Sequence, residues 1–291
     1  MLSSIQLRFV INYVIFTTML AGCAGNQIKS ASIPAPSQPV SVLMTASPEI
    51  VVKPELEKYF QGSVGAFVVY DLNNNSYIRY NPTRCAERFF PASTYKIMNA
   101  LIGLETGVIP DENYFIKWDG TKYDISSWNQ ANTLETAFQN SVVWYFQELA
   151  RRVGREKMQY YVNAAKYGNQ DISGQVDSFW LDGGLRISAD EQVEFLKRLY
   201  RNDLPFSQRS MNIVKEIMVL ETTDSYQLSG KTGSAQRVTP HEGWFVGYLG
   251  TNGDVYFFAT NYETTNPDGM ASGDTAKNIT RNILQSLGFL P

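Results

Sequence analysis

The chain has 291 residues, of which 44% are hydrophobic and 13% aromatic, with a formal charge of -3. That is enough apolar side chain for one large domain with a sizeable core, and without basic clusters it carries no electrostatic footprint for nucleic acid. One histidine, His241, and two cysteines, Cys23 and Cys85, argue against metal sites built from several His or Cys ligands, and they leave a Ser-His-Asp triad dependent on a single His in a polar segment.

Taken from the start, Arg8 supplies one positive charge before an apolar run over residues 9–20. The run is too short to span a bilayer and reads as a secretory signal. It closes on Leu20-Ala21-Gly22-Cys23, the pattern of a bacterial lipobox, in which cleavage before Cys23 leaves a lipid-modified cysteine as the new N-terminus. Ala24, in place of an aspartate, directs the expectation to the periplasmic face of the outer membrane. The alternative is an ordinary signal peptide and release into the periplasm. An anchored Cys23 leaves Cys85 without a partner, so no intramolecular disulfide is expected. The stretch up to residue 48 is rich in Ser, Ala and Pro and reads as a tether reaching on the order of 25 Å. The resulting division is a signal over 1–22, a lipid-anchored tether over 23–48 and a catalytic domain over 49–291.

Beyond the tether, helical spacing covers residues 54–60. A β-rich run over 63–71 closes on Asn73-Asn74-Asn75 and returns over 77–80 as a hairpin. Helical patterns then dominate: 95–104 stopped by Gly107, 134–153 stopped by Gly154, 155–166, 189–200 and 211–220. Strand patterns return at 227–236, 243–249 and 255–262, with a turn over 250–254, and a helix is predicted over 276–287. Strands at both ends bracket a helical middle. The expected fold is α+β, an antiparallel sheet built from N- and C-terminal segments with flanking helices, plus a mostly helical middle subdomain.

The chemistry is expected at Phe89–Met98, FFPASTYKIM, where Ser93 and Lys96 stand three residues apart at a helix start and so share a face. A serine hydroxyl needs a base to become a nucleophile, and a lysine is a base only where its surroundings hold it neutral or change its charge. Taken alone, this spacing also fits a helix start with a solvated lysine. A second signal is Lys231-Thr232-Gly233, followed by Ser234, inside a predicted strand. The glycine clears the strand edge for a ligand, the lysine and threonine suit an anionic group, and the N–H groups of Ser93 and Ser234 could form an oxyanion hole.

With these two motifs stand Ser141-Val142-Val143, Tyr167-Gly168-Asn169, Phe179-Trp180-Leu181, Gly184-Leu185-Arg186-Ile187-Ser188 and Gly243-Trp244-Phe245-Val246-Gly247. In order and approximate spacing over residues 60–290, they resemble the class D serine β-lactamases of the penicillin-binding-protein superfamily. The resemblance implies that Ser93 attacks the lactam carbonyl of a penicillin-type antibiotic. Lys96, carboxylated on Nζ by carbon dioxide, would be the general base for acylation and deacylation; no other cofactor is implied. Val143 and Leu181 would form an apolar wall, and the Trp180 indole N–H would hold the carbamate. Ser141 would lie between Lys96 and Lys231 and relay a proton toward the leaving lactam nitrogen, while Lys231 and Thr232, with Ser234, meet the substrate carboxylate and Gly233 completes the substrate-binding strand. Outside the resemblance, Ser141 could be a helix N-cap, and Tyr167, Gly168 and Asn169 are expected to shape the cleft.

Two departures from the family pattern stand out. Ala276 occupies the place of an arginine that binds the substrate carboxylate in many members, with Lys277 and Arg281 only neighbours, and Gly183-Gly184 lacks a proline, which suggests a looser loop around Trp180. A cell-wall transpeptidase or carboxypeptidase, and a β-lactam sensor domain, share the serine and both lysines. The valine after Ser141-Val142 weighs against the former. The lack of the membrane spans and zinc protease usually fused to the sensor weighs against the latter. Residues 118–128 are expected to set substrate preference by shape; oligomeric state is not legible.

Overall fold

The computed structural model describes residues 47–264 and 271–291. The signal sequence, Cys23 and all but the end of the tether lie outside them. A seven-stranded sheet runs through the fold, from β1 (Glu49–Val52), β2 (Val64–Asp71) and β3 (Ser76–Tyr80) to β8 (Val219–Thr222), β9 (Tyr226–Ala235), β10 (His241–Thr251) and β11 (Asp254–Thr264). Its order is β1-β3-β2-β11-β10-β9-β8. The pairs are antiparallel except β1 with β3. Short two-residue strands, β4 (Arg88–Phe89) with β7 (Ile187–Ser188) and β5 (Phe115–Ile116) with β6 (Asn132–Thr133), tie loops together elsewhere.

Side chains alternate strictly between the two sheet faces, as a period of two demands. Ala66, Val68 and Tyr70 of β2 join Trp244, Val246 and Tyr248 of β10 in the larger core, beneath the helical middle. Phe67 and Val69 join Phe245 and Leu249 in the smaller one, beneath the C-terminal helix. Both faces of these strands are therefore covered, which is why the sequence runs reading AFVVY and WFVGYL are nearly unbroken in apolar residues. Each large apolar side chain buried here contributes about 2 kcal/mol of transfer free energy.

The helices are α1 (Pro82–Ala86), α2 (Lys96–Glu105), α3 (Leu134–Gln139), α4 (Val143–Val153), α5 (Arg155–Ala164), α6 (Ala189–Tyr200), α7 (Gln208–Ile217) and α8 (Gly273–Ser286). The expected α+β architecture is the one found; α1 and the two-residue strands were not expected, and four further local differences matter. Residues 54–60 form a 3-10 helix opened by Pro54. β1 precedes it where no strand was read, because its residues are all exposed and show no alternation. The apolar stretch ending at Leu220 divides into α7 and the edge strand β8. Most consequential for the site, the single helix expected over 134–153 is two.

The break between α3 and α4 is a helix stop made without glycine. Val142 N–H reaches back to Ala137 O at 2.8 Å and Ser141 N–H to Phe138 O at 3.2 Å, the pair of bonds that closes a helix through a left-handed residue. That residue is Ser141, at φ 54°. The N-cap position of α4 is Val142, so Ser141 is not the N-cap considered from sequence.

Candidate active site

Ser93 lies in a 3-10 turn (Ala92–Tyr95) that runs directly into α2, whose first residue is Lys96. A 3-10 turn has three residues per turn, so side chains at i and i+3 eclipse. The result is a Lys96 Nζ to Ser93 Oγ distance of 2.7 Å. The turn is entered through Ala92 at φ 47°, a left-handed conformation strained for a residue with a Cβ. It is held by Ala92 N–H donating to Trp180 O at 3.1 Å and by Trp244 Nε1–H donating to Phe90 O at 2.9 Å.

Lys96 is 1% exposed. Burial pushes its ammonium well below the usual lysine range, and the nearby charge of Lys231 adds to the effect. Its Nζ sits 5.5 Å over the Phe146 ring. Trp180 is wholly buried, stacked on Tyr95 with centroids 5.3 Å apart, and its Nε1–H has no acceptor among the described residues. An orphaned indole donor beside the nucleophile turn, together with a lysine held toward its neutral form, fits a carboxylated lysine in the chemistry it offers.

The second lysine comes from β9. Lys231 Nζ donates to Ser141 Oγ at 3.1 Å and to Thr232 O at 3.1 Å. Burial lowers it to about 7, a fall that Asp274 opposes. β9 runs against the nucleophile turn so closely that a Cβ on Gly233 would lie 3.1 Å from Thr94 Cγ2 and 3.2 Å from Pro91 O. This close approach explains the glycine, and it lays β9 alongside the nucleophile turn.

Ser93, Ser141, Val143, Leu181, Thr232, Gly233 and Ser234 line one cavity of about 550 Å³. Lys96 and Lys231, bonded to the lining residues Ser93 and Ser141, are buried, as is Trp180, and none of the three is part of the lining. Sequence reasoning did not single out Trp144, Arg237 or Asp274, which also form its walls, whereas Tyr123, Ile125 and Trp128 fall in the loop expected to shape it. Nothing in the residue pattern marked the first three; their positions follow from the Ser141 break and from the β9 and α8 termini. Arg237, in the cavity wall, pairs through Nη1 with Asp182 Oδ2 at 2.7 Å.

Ala276 is buried in the smaller core and does not reach the cavity. The loop carrying Trp180 is closely fitted, contrary to the slackness suggested by Gly183-Gly184. A Cβ on Gly184 would lie 2.3 Å from Ser173 Oγ, and one on Gly183 would lie 2.4 Å from Ser173 O. Asn169 staples the loop's far side, its Nδ2 donating to Gly184 O at 2.9 Å and its Oδ1 accepting from Arg186 N–H at 2.9 Å. Tyr167 is buried against Tyr95 and Phe195, behind the cleft and not in its wall.

Comparison with known proteins bears on this arrangement directly. The penicillin binding protein transpeptidase domain matches residues 65–285. The chain is 43% identical to Beta-lactamase OXA-48 of Klebsiella pneumoniae over 229 residues, 79% of this chain and 85% of that protein. The crystal structure of the class D β-lactamase YbXI from Nostoc superposes with a TM-score of 0.77 at 45% identity, covering 82% of this chain and all of that one. The chain belongs to the class D β-lactamases. It is thus a member of a hydrolase family, and in this class D β-lactamase the two lysines and two serines described above converge on one cavity. The C-terminal domain of the Bacillus licheniformis BlaR penicillin-receptor is also similar, with a TM-score of 0.79 at 35% identity over 85% of this chain and all of that domain.

Proposed function

We propose that this protein hydrolyses β-lactam antibiotics through a covalent ester on Ser93 and thereby confers resistance to them. The observation that carries the reading is the 2.7 Å approach of a buried, depressed Lys96 to Ser93 Oγ. With carbon dioxide bound covalently at Lys96 Nζ, the resulting carbamate supplies a general base within the reach of Ser93. Trp180 Nε1 would hold that group, and Val143 and Leu181 would keep the surroundings apolar.

The other steps fall to the chain's own atoms. Ser93 Oγ forms a bond to the lactam carbonyl carbon while its proton leaves toward Lys96. The N–H groups of Ser93 and Ser234 receive the developing oxyanion. As the C–N bond breaks, Ser141 gives its hydroxyl proton to the lactam nitrogen and is resupplied by Lys231, 3.1 Å away. Lys231 and Thr232 receive the substrate carboxylate. Water then cleaves the ester, releasing the ring-opened acid and returning Ser93.

Cys23 lipidation and a periplasmic, outer-membrane location belong to the same proposal and rest on the sequence of residues 1–24. A sensor that is acylated without turnover is a second reading, favoured by the likeness to the penicillin-receptor domain. Time-resolved hydrolysis of a chromogenic cephalosporin by purified protein separates them. Many turnovers per site support the hydrolase, whereas a single stoichiometric burst would replace it with the sensor or a transpeptidase. Activity in carbon-dioxide-depleted acidic buffer should rise on adding bicarbonate, and no rise would remove the carbamate.

A further inference from the structure

The end of the cavity beyond Lys231 is built where α8 begins. Gly273 packs on β9 so tightly that a Cβ there would lie 2.5 Å from Thr232 Cβ, and its N–H donates to Ser234 Oγ at 2.9 Å. The next residue, Asp274, is exposed and lines the same cavity. Its charge reaches Lys231, yet no ion pair within 4 Å joins them among the described residues.

The other charges near this corner are engaged elsewhere. Arg281 Nη1 pairs with Glu221 Oε2 at 2.6 Å, and Lys277 adds its field to that same carboxylate. Arg237 is paired with Asp182. Ala276 brings no charge. A substrate carboxylate received by Lys231, Thr232 and Ser234 therefore has one further formal charge beside it, and that charge is negative. A positive group on the ring carbon next to the one bearing the carboxylate would meet Asp274 as an ion pair in a half-enclosed space, where water screens less than at an open surface.

We propose that Asp274 is a specificity-determining residue that favours β-lactams carrying a cationic substituent, such as a pyridinium or ammonium group, beside the ring carboxylate. This rests on the reading that the cavity takes a β-lactam with its carboxylate at Lys231. The chain should discriminate between two cephalosporins with the same acyl side chain, one with a neutral and one with a pyridinium substituent next to the carboxylate.

Rate constants for acylation of Ser93, read by mass spectrometry, and kcat/KM for hydrolysis give the cationic-to-neutral ratio for the wild type, Asp274→Asn and Asp274→Glu. The ratio should fall about fivefold in Asp274→Asn, as expected for a partly exposed charge pair. It should recover in Asp274→Glu, and it should narrow at high salt in the wild type and Asp274→Glu but not in Asp274→Asn. An equal ratio in the wild type and Asp274→Asn would overturn the role of Asp274. Acylation without turnover would sink the hydrolase reading while leaving the acylation ratio to judge Asp274, and failure of both compounds to acylate would defeat both.

Discussion

Trp180 lies flat against Tyr95, with 23° between the ring planes, and keeps a buried indole N–H that has no acceptor among the described residues. A donor left unsatisfied in a core costs about 1–3 kcal/mol, so its retention points to a group it is meant to hold. Trp180→Phe keeps the stack and removes the donor. Turnover should fall about a hundredfold, the range of general-base catalysis, with acyl-enzyme accumulating on Ser93 by mass spectrometry and thermal stability no lower than wild type. Unaltered turnover in Trp180→Phe would take the indole out of the chemistry.

Lys231 titrates at about 7, lowered by burial. It is a cation below that value and increasingly neutral above it, so its pull on a substrate carboxylate weakens as pH rises. KM for an anionic β-lactam should climb through pH 7 to 8. Ser141→Ala removes the acceptor 3.1 Å from Nζ, and it should lower kcat more than it raises KM, since in the proposed mechanism the lost hydroxyl acts on the leaving nitrogen. Steady-state kinetics across pH test both statements; a flat KM would contradict the first.

Glu242 on β10 is 7% exposed and faces Glu263 across the strand pair, with one carboxyl oxygen unpartnered among the described residues. Burial raises it to about 7, partly countered by Arg84 and Arg186. A carboxyl whose folded value is raised favours the fold while protonated, so its contribution is complete below about 4.5 and lost as pH climbs through about 7. Glu242→Gln should therefore be more stable than wild type at pH 8, by on the order of 2 kcal/mol, with the gap closing near pH 4.5. Denaturant melts at the two pH values decide it.

Cys23→Ala should convert a membrane-fractionating protein into a soluble periplasmic one. If the variant still sediments with outer membranes, lipidation at Cys23 is wrong.

The sheet and most helices were legible because their apolar periodicities are clean, and the Ser93–Lys96 pair because a spacing of three is the same in a 3-10 turn and a helix start. The Ser141 break was not. Helix stops are read from glycine, and here a serine takes the left-handed position so that its hydroxyl can face Lys231. Asp274 escaped notice for a different reason: its place in the cavity depends on how α8 meets β9, two elements far apart in the chain, which no local pattern encodes. The glycines at 183 and 184 misled in the opposite direction, since close approach to Ser173 uses glycine as readily as slackness does.

The pairing of β2 with β11 has a consequence for how the protein comes into being. Asn73 bonds to Gly253, 180 positions further along, and β11, the direct neighbour of β2, comes with β9 and β10 from the same late stretch of chain. A chain made only as far as the middle helices has β2 and β3 without the strand β11 that pairs with β2 in the finished sheet. Loops of that span close slowly. An incompletely made or prematurely stopped chain thus has Ser93 and Lys96 but no β9 wall and no α8, and exposes strand edges open to aggregation. Activity is then absent until the C-terminal strands and α8 have been made.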